Sequence, residues 1–285
     1  GSLSLKSWFG NNQGLKLPKE LDTPVVEAIS PYNEQIAALD KQVGAQYRRE
    51  TLKDTSGASM MDPKTQVSKI HQTSILDASK KTFEANLVFA LCREYPNEYG
   101  EKIANIALNS YVNQRGQATL AAAEASRENG NSPNTVVSGA VAIVGKKMVE
   151  PAMDAAKALL NLFQFAKFND ATGNFDYKEE LHVAKVHKDV LLTGADDACA
   201  DKMAACLSQD AQSVFIKFLL DFAKQEGGRP STDAMIAAIW MTLGWKGMKS
   251  KKITKDTIIR LPWYSRIYSI IVGVVASADK HGEDS

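Results

Sequence analysis

Nowhere in the sequence does an uninterrupted apolar run reach the ~18 residues that a membrane-crossing helix needs, so no transmembrane segment is expected. Charge of one sign is missing as well. The formal net charge is +1, so no global field draws the chain to nucleic acid or membrane, and any such patch must be local. Cysteine is scarce: Cys92, Cys199 and Cys206 cannot make a disulfide framework. Cys199 and Cys206 fall on one expected helix, ~10 Å apart along its axis, beyond the roughly 7 Å that a bridge allows. Free thiols suit a reducing compartment, and a cytoplasmic protein is expected. The start of the chain, Leu3-Ser4-Leu5-Lys6-Ser7-Trp8-Phe9, lacks the basic residues and long apolar core of an export signal.

Local catalytic motifs are missing too. There is no glycine-rich dinucleotide fingerprint, and Gly145-Lys146-Lys147 lacks the preceding glycine loop of a phosphate-binding P-loop. No G-x-S-x-G elbow occurs. Glu179 and His182 make one E-x-x-H, the spacing that di-iron bundles use in pairs. None of His71, His187 and His281 has a glutamate three residues before it. No cofactor and no catalytic residue are therefore expected, and the chain reads as a non-enzyme.

What is present is helix. The 285 residues are 44% hydrophobic and 24% charged, the balance of a globular protein with a sizeable core. Residues 1–24 read as an extended arm whose Trp8 and Phe9 would dock on a partner, including a second copy of the chain. Ser30-Pro31 and Asp62-Pro63 are helix starts. Ile36, Leu39, Val43 and Tyr47 follow the first at helical spacing, and Phe83, Leu87 and Leu91 lie on one face after the second. Asn129-Gly130-Asn131-Ser132-Pro133-Asn134 is the strongest linker signal. It separates an N-terminal helical half, 25–128, from a C-terminal one, 135–285. Val136–Val149 could be a buried strand, but no second strand is at hand to pair with it, so it reads as helix. Gly244 and Gly247 are expected to loosen one helix end, and a final helix runs from Tyr264 to Lys280. The fold class is an all-α bundle of about ten helices, with two packed halves.

The loop Phe168-Asn169-Asp170-Ala171-Thr172-Gly173-Asn174-Phe175-Asp176-Tyr177-Lys178-Glu179 resembles a calcium-binding EF-hand. With Gly173 at position six, Asp170, Thr172, Asn174, Asp176 and Glu179 take the ligand positions three, five, seven, nine and twelve. Phe168 takes position one and has no oxygen to give, and no second loop pairs with this one. A helix–helix turn is the expected form, with side-chain oxygens capping the backbone.

The basic segment comes last. Lys246, Lys249, Lys251, Lys252, Lys255, Arg260 and Arg266 follow or flank Trp245 and Trp263, and Asp256 is the one acid among them. Cations beside aromatics suit an acidic protein partner, or a phosphate backbone with stacked bases. The expected function is a non-enzymatic subunit or adaptor of a protein assembly, built on protein–protein contacts and self-assembly, with Trp245 and Trp263 exposed. The alternative is a nucleocapsid-like, RNA-binding helical protein using residues 246–266. Third comes a degenerate EF-hand calcium binder at 168–179.

Overall fold

A computed structural model describes residues 60–61, 64–112 and 118–278. The arm with Trp8 and Phe9, and the helix expected after Ser30-Pro31, lie outside the described residues. The chain divides into two units between Gln72 and Thr73. In the first, strand β1 (Met60–Met61) pairs antiparallel with β2 (Ser68–Ile70), Met60 facing Lys69. The helix expected after Asp62-Pro63 does not form there. Gln66 (φ 58°), His71 (φ 50°) and Gln72 (φ 87°) adopt left-handed backbone on either side of β2, and a right-handed helix cannot pass through such residues.

The second unit is helical. After β3 (Thr73–Ser74) come α1 (Ile75–Ala78), α2 (Phe83–Cys92), α3 (Glu98–Asn109), α4 (Ala118–Glu128), α5 (Pro133–Ala142) and α6 (Lys146–Phe163). A broken stretch follows: α7 (Lys178–Val183), a 3-10 turn, α8 (Lys188–Leu191) and β4 (Leu192–Thr193). Then come α9 (Ala198–Ser208), α10 (Val214–Glu226), β5 (Arg229–Pro230), α11 (Thr232–Lys249) and α12 (Lys255–Ala278). The class is all-α, as the helical periodicity indicates. Side chains at the starts explain the boundaries. Asn97 accepts from Gly100 N at 2.8 Å, Asp197 from Cys199 N and Ala200 N at 3.0 Å, and Ser231 from Ala234 N at 3.0 Å. Each satisfies a backbone donor that the helix itself leaves open.

α11 is the axis of this unit. Every residue from Ala234 to Trp245 is buried, the pattern of a helix wrapped on all sides. Trp245, expected at the surface, is fully buried and donates its indole N–H to Phe168 O at 2.9 Å. Aromatic rings pack around it, with Phe168 stacked at 5.1 Å and Phe215 edge-on at 5.0 Å. The two glycines do not loosen the helix, which continues to Lys249. They admit neighbours. A Cβ on Gly247 would lie 2.3 Å from Cys92 O, and one on Gly244 would lie 2.9 Å from Ile258 Cγ1. The same close approach decides how α2 packs. Its buried residues are Ala85, Val88 and Cys92, whereas Phe83, expected inside, is 66% exposed. Short side chains face the place where two backbones nearly touch.

α12 begins nine residues earlier than Tyr264 and carries Pro262 inside it. Burial of Ile258 and Leu261 against Gly244 holds its first turns despite the proline. Lys255–Ser277 is thereby long and apolar enough to cross a membrane by length and composition, and half of its apolar window is buried inside the protein. Its later turns close a second core with α4 and α5, built from Ala123, Val136, Ala140, Ile270 and Val274.

Gly247→Ala should cost about 1–3 kcal/mol, the range for overpacking a tight contact, read from urea denaturation. Gly139→Ala on α5, where an added Cβ meets nothing within 4 Å, should instead stabilise by roughly 0.5–1 kcal/mol through helix propensity.

Candidate functional site

The basic–aromatic segment does not form one patch. Lys252 and Lys246 both reach Glu94, at 2.6 and 3.9 Å. Lys249 donates to Ala166 O at 3.2 Å and lies 5.5 Å from the Trp245 ring centre. Lys249, Lys251 and Lys255 line one cavity, while Arg260 and Trp263 line a second with Lys146 and Tyr264. Arg266 belongs to neither. It is 9% exposed, the most deeply buried cation of the set.

The EF-hand-like loop folds as a turn tied to α10. Asp170 Oδ1 accepts from Thr172 N and Thr172 Oγ1 at 2.9 and 2.8 Å, and Ala171 O accepts from Val214 N at 2.8 Å. Lys217 Nζ reaches Gly173 O at 2.8 Å. Asp176 Oδ1 accepts from Lys178 N, and Glu179 lies in the first turn of α7. Asn174, expected at the seventh ligand position, is exposed on this turn. Beyond the turn the chain is helical in short pieces, α7, the 3-10 turn and α8. Among the described residues no group of three or more His, Cys, Asp or Glu side chains could hold a metal ion.

Arg266 leads to a different constellation. Ser265 and Ser269 of α12 donate to Ala107 O and Leu108 O, at 3.1 and 2.5 Å. These carbonyls belong to the last turn of α3, where the helix runs out of its own donors; Ala107 O accepts from Ser110 N as well. α12 is thereby pinned to the end of α3, and Tyr111, just beyond that end, lies under the Arg266 guanidinium. Arg266 Cζ is 4.0 Å from the centre of the Tyr111 ring. At its other end the Tyr111 hydroxyl donates to Asp233 Oδ1. Asp233 lies in the first turn of α11, where the helix dipole favours a carboxylate.

A buried phenol thus stands between a carboxylate and a guanidinium. Burial, reinforced by Asp233, pushes the Tyr111 hydroxyl well above its ordinary pKa of 10.0, while the Arg266 charge pulls the other way. Tyr111 is a neutral donor across the physiological range. Arg266 interacts with the Tyr111 side chain; among the described residues it makes no ion pair, and its Nε has no hydrogen-bond partner. Trp240 Nε1 lacks one also, but a neutral indole is cheaper to strand than a cation. A buried cation with one N–H left unpaired carries a desolvation cost that a further acceptor would relieve. Such a donor is matched by an anion that brings its own oxygens, a carboxylate above all.

Tyr111 also has a pH signature. Its folded pKa lies above its unfolded one, so the unfolded chain loses this proton first, and stability present below pH 10 declines as pH rises further. Tyr111→Phe should flatten that decline while lowering stability at neutral pH by about 1–3 kcal/mol, because Asp233 loses its donor. Urea midpoints measured across pH 7–11 check both.

No family model matches the chain, and no curated protein matches it by sequence. Solved structures do match by shape. Citryl-CoA lyase from Hydrogenobacter thermophilus superimposes with a TM-score of 0.52 at 15% identity, covering 77% of this chain and 84% of that one. ATP citrate lyase from Methanothrix soehngenii, solved with citrate and coenzyme A, superimposes with a TM-score of 0.55 at 9% identity. That match covers 95% of this chain and 51% of the other. The likeness corrects the functional expectation. Missing local motifs point to a non-enzymatic adaptor, the basic segment to RNA binding and the 168–179 loop to calcium, whereas the helical fold is one shared with two lyases.

Proposed function

We propose that this chain is a lyase-type enzyme acting on a carboxylate-bearing acyl-CoA thioester of the citryl-CoA kind, in the cytoplasm. Two observations support the reading. The fold is similar to that of two citrate-related lyases, and the chain offers a buried cation with an unused donor. The second carries the argument, because Arg266 Nε is a ready partner for a substrate carboxylate. In this reading Arg266 binds and orients that carboxylate. Tyr111 holds Asp233 in place through its hydroxyl, and the pair fixes the ring on which the Arg266 guanidinium rests. Three cysteines that form no disulfide fit the compartment.

The test is turnover. The wild-type chain should cleave citryl-CoA, and citrate should raise its melting temperature. Arg266→Met should abolish the citrate effect and lower kcat/KM by about 10–100-fold, the loss expected for a charge-assisted hydrogen bond. Arg266→Lys, which keeps the charge and loses the planar fork, should fall between the two. A wild-type chain that neither turns over citryl-CoA nor is stabilised by citrate refutes the proposal.

A further inference from the structure

The opposite end of α11 holds a second concentration of charge that the Arg266 cluster does not use. α11 stops at Lys249, Lys251 takes a left-handed backbone (φ 62°), and α12 restarts at Lys255. This reversal brings Lys249, Lys251 and Lys255 around one cavity of about 420 Å³, with Gln164 from the end of α6 and Thr254 on its wall. Its floor is apolar, formed by Leu160, Met248 and Ile253. Among the described residues no carboxylate lines it. Asp256, the acid of the first turn of α12, is outside the lining, and Glu94 is engaged by Lys246 and Lys252 instead. The five lysines of this stretch are therefore sorted: Lys246 and Lys252 pair with Glu94, Lys249 reaches Ala166 O from the cavity wall, and Lys251 and Lys255 line the cavity without an ion pair among the described residues.

Three cationic side chains on the wall of one hollow favour an anion there, and a low-dielectric floor strengthens that attraction. Lysine donates from a compact point charge on a flexible stem, which suits phosphate oxygens approached from several directions. The volume exceeds that of one phosphate and falls in the range of small-molecule sites.

We propose that this cavity binds the phosphate groups of a small molecule, and specifically those of the coenzyme A portion of the substrate. The assignment to coenzyme A rests on the proposed function; phosphate recognition by the three lysines does not. Gln164 and Thr254 add neutral hydrogen-bonding groups, and the apolar floor receives the organic part next to the phosphates.

Calorimetry on the full chain tests this with coenzyme A, 3′-dephospho-coenzyme A, pantetheine and inorganic pyrophosphate as probes. The chains are wild type, Lys251→Glu/Lys255→Glu and Arg266→Met. Coenzyme A should bind the wild type and Arg266→Met alike. It should bind the double glutamate variant at least tenfold more weakly, and pantetheine should not bind detectably. Wild-type affinity should fall steeply with salt. Citrate stabilisation, measured on the same samples, should survive in the double glutamate variant, which also shows that this variant is folded. Coenzyme A bound equally well by the double variant, or no wild-type affinity for coenzyme A and pyrophosphate alike, overturns the phosphate site and leaves the Arg266 reading intact. Pyrophosphate bound through these lysines without coenzyme A upholds phosphate recognition and removes the coenzyme A assignment. Loss of the citrate effect in the wild type alone strikes the proposed function and not this cavity.

Discussion

A helix buried on every side has to be narrow where its neighbours come closest, and α11 meets that constraint with two glycines. Gly247 lets the carbonyl of Cys92 approach to a distance that no side chain would tolerate, and Gly244 receives Ile258 and Leu261 of α12. Close approach at these two points fixes α2 on one side and α12 on the other. It also explains small residues elsewhere. α2 turns Ala85, Val88 and Cys92 inward, and burial in that contact pushes the Cys92 thiol far above its usual pKa, so it is an inert core group and not a nucleophile. The large rings collect farther round the axis, where Phe163 packs edge-on against Phe215 and Phe218.

Because α11 is held along its whole length, both of its ends are fixed in place. One end presents Asp233 to Tyr111, and the other leads into the lysine cavity. Roughly 24 Å of helix separates Asp233 from Lys249 at ~1.5 Å per residue. α12 contributes to both ends: its start lines the cavity, and its middle turn carries Arg266 beside the two serines that tie it to α3. The rigidity that such a site requires comes from helices and not from loops. A substitution along α11 that displaced α12 would disturb both places at once.

Helix positions were legible in the sequence where capping chemistry and period agree. Asp197 and Ser231 cap their helices, and Val136–Val149, expected as one helix, is helical except for a break at residues 143–145 between α5 and α6. The stretch at Ser68–Ile70 was not legible, because left-handed backbone at glutamine and histidine carries no sequence mark. The glycines of α11 carried the opposite meaning from the one their propensity suggests, since tertiary packing overrides propensity. The site was least legible of all. Tyr111 and Asp233 are 122 residues apart, and Arg266 lies in a segment whose other cations are mostly exposed. The one signal that could have singled it out is its place between Ser265 and Ser269, in the part of the helix after Arg260 where it is the one charged residue. Motif searching fails here for a physical reason: three segments remote in sequence supply one group each.

The central claim is that Arg266 is held in the protein interior as a partner for an incoming carboxylate, and its own Nε–H reports on this most directly. Nitrogen-15 NMR of the Arg266 guanidinium, assigned by comparison with Arg266→Lys, should show a signal protected from solvent exchange. On titration with citrate that signal should shift strongly and saturably, with the Tyr111 ring resonances moving alongside it. An Arg266 signal that exchanges like a surface arginine, or stays unmoved at saturating citrate, would contradict the account.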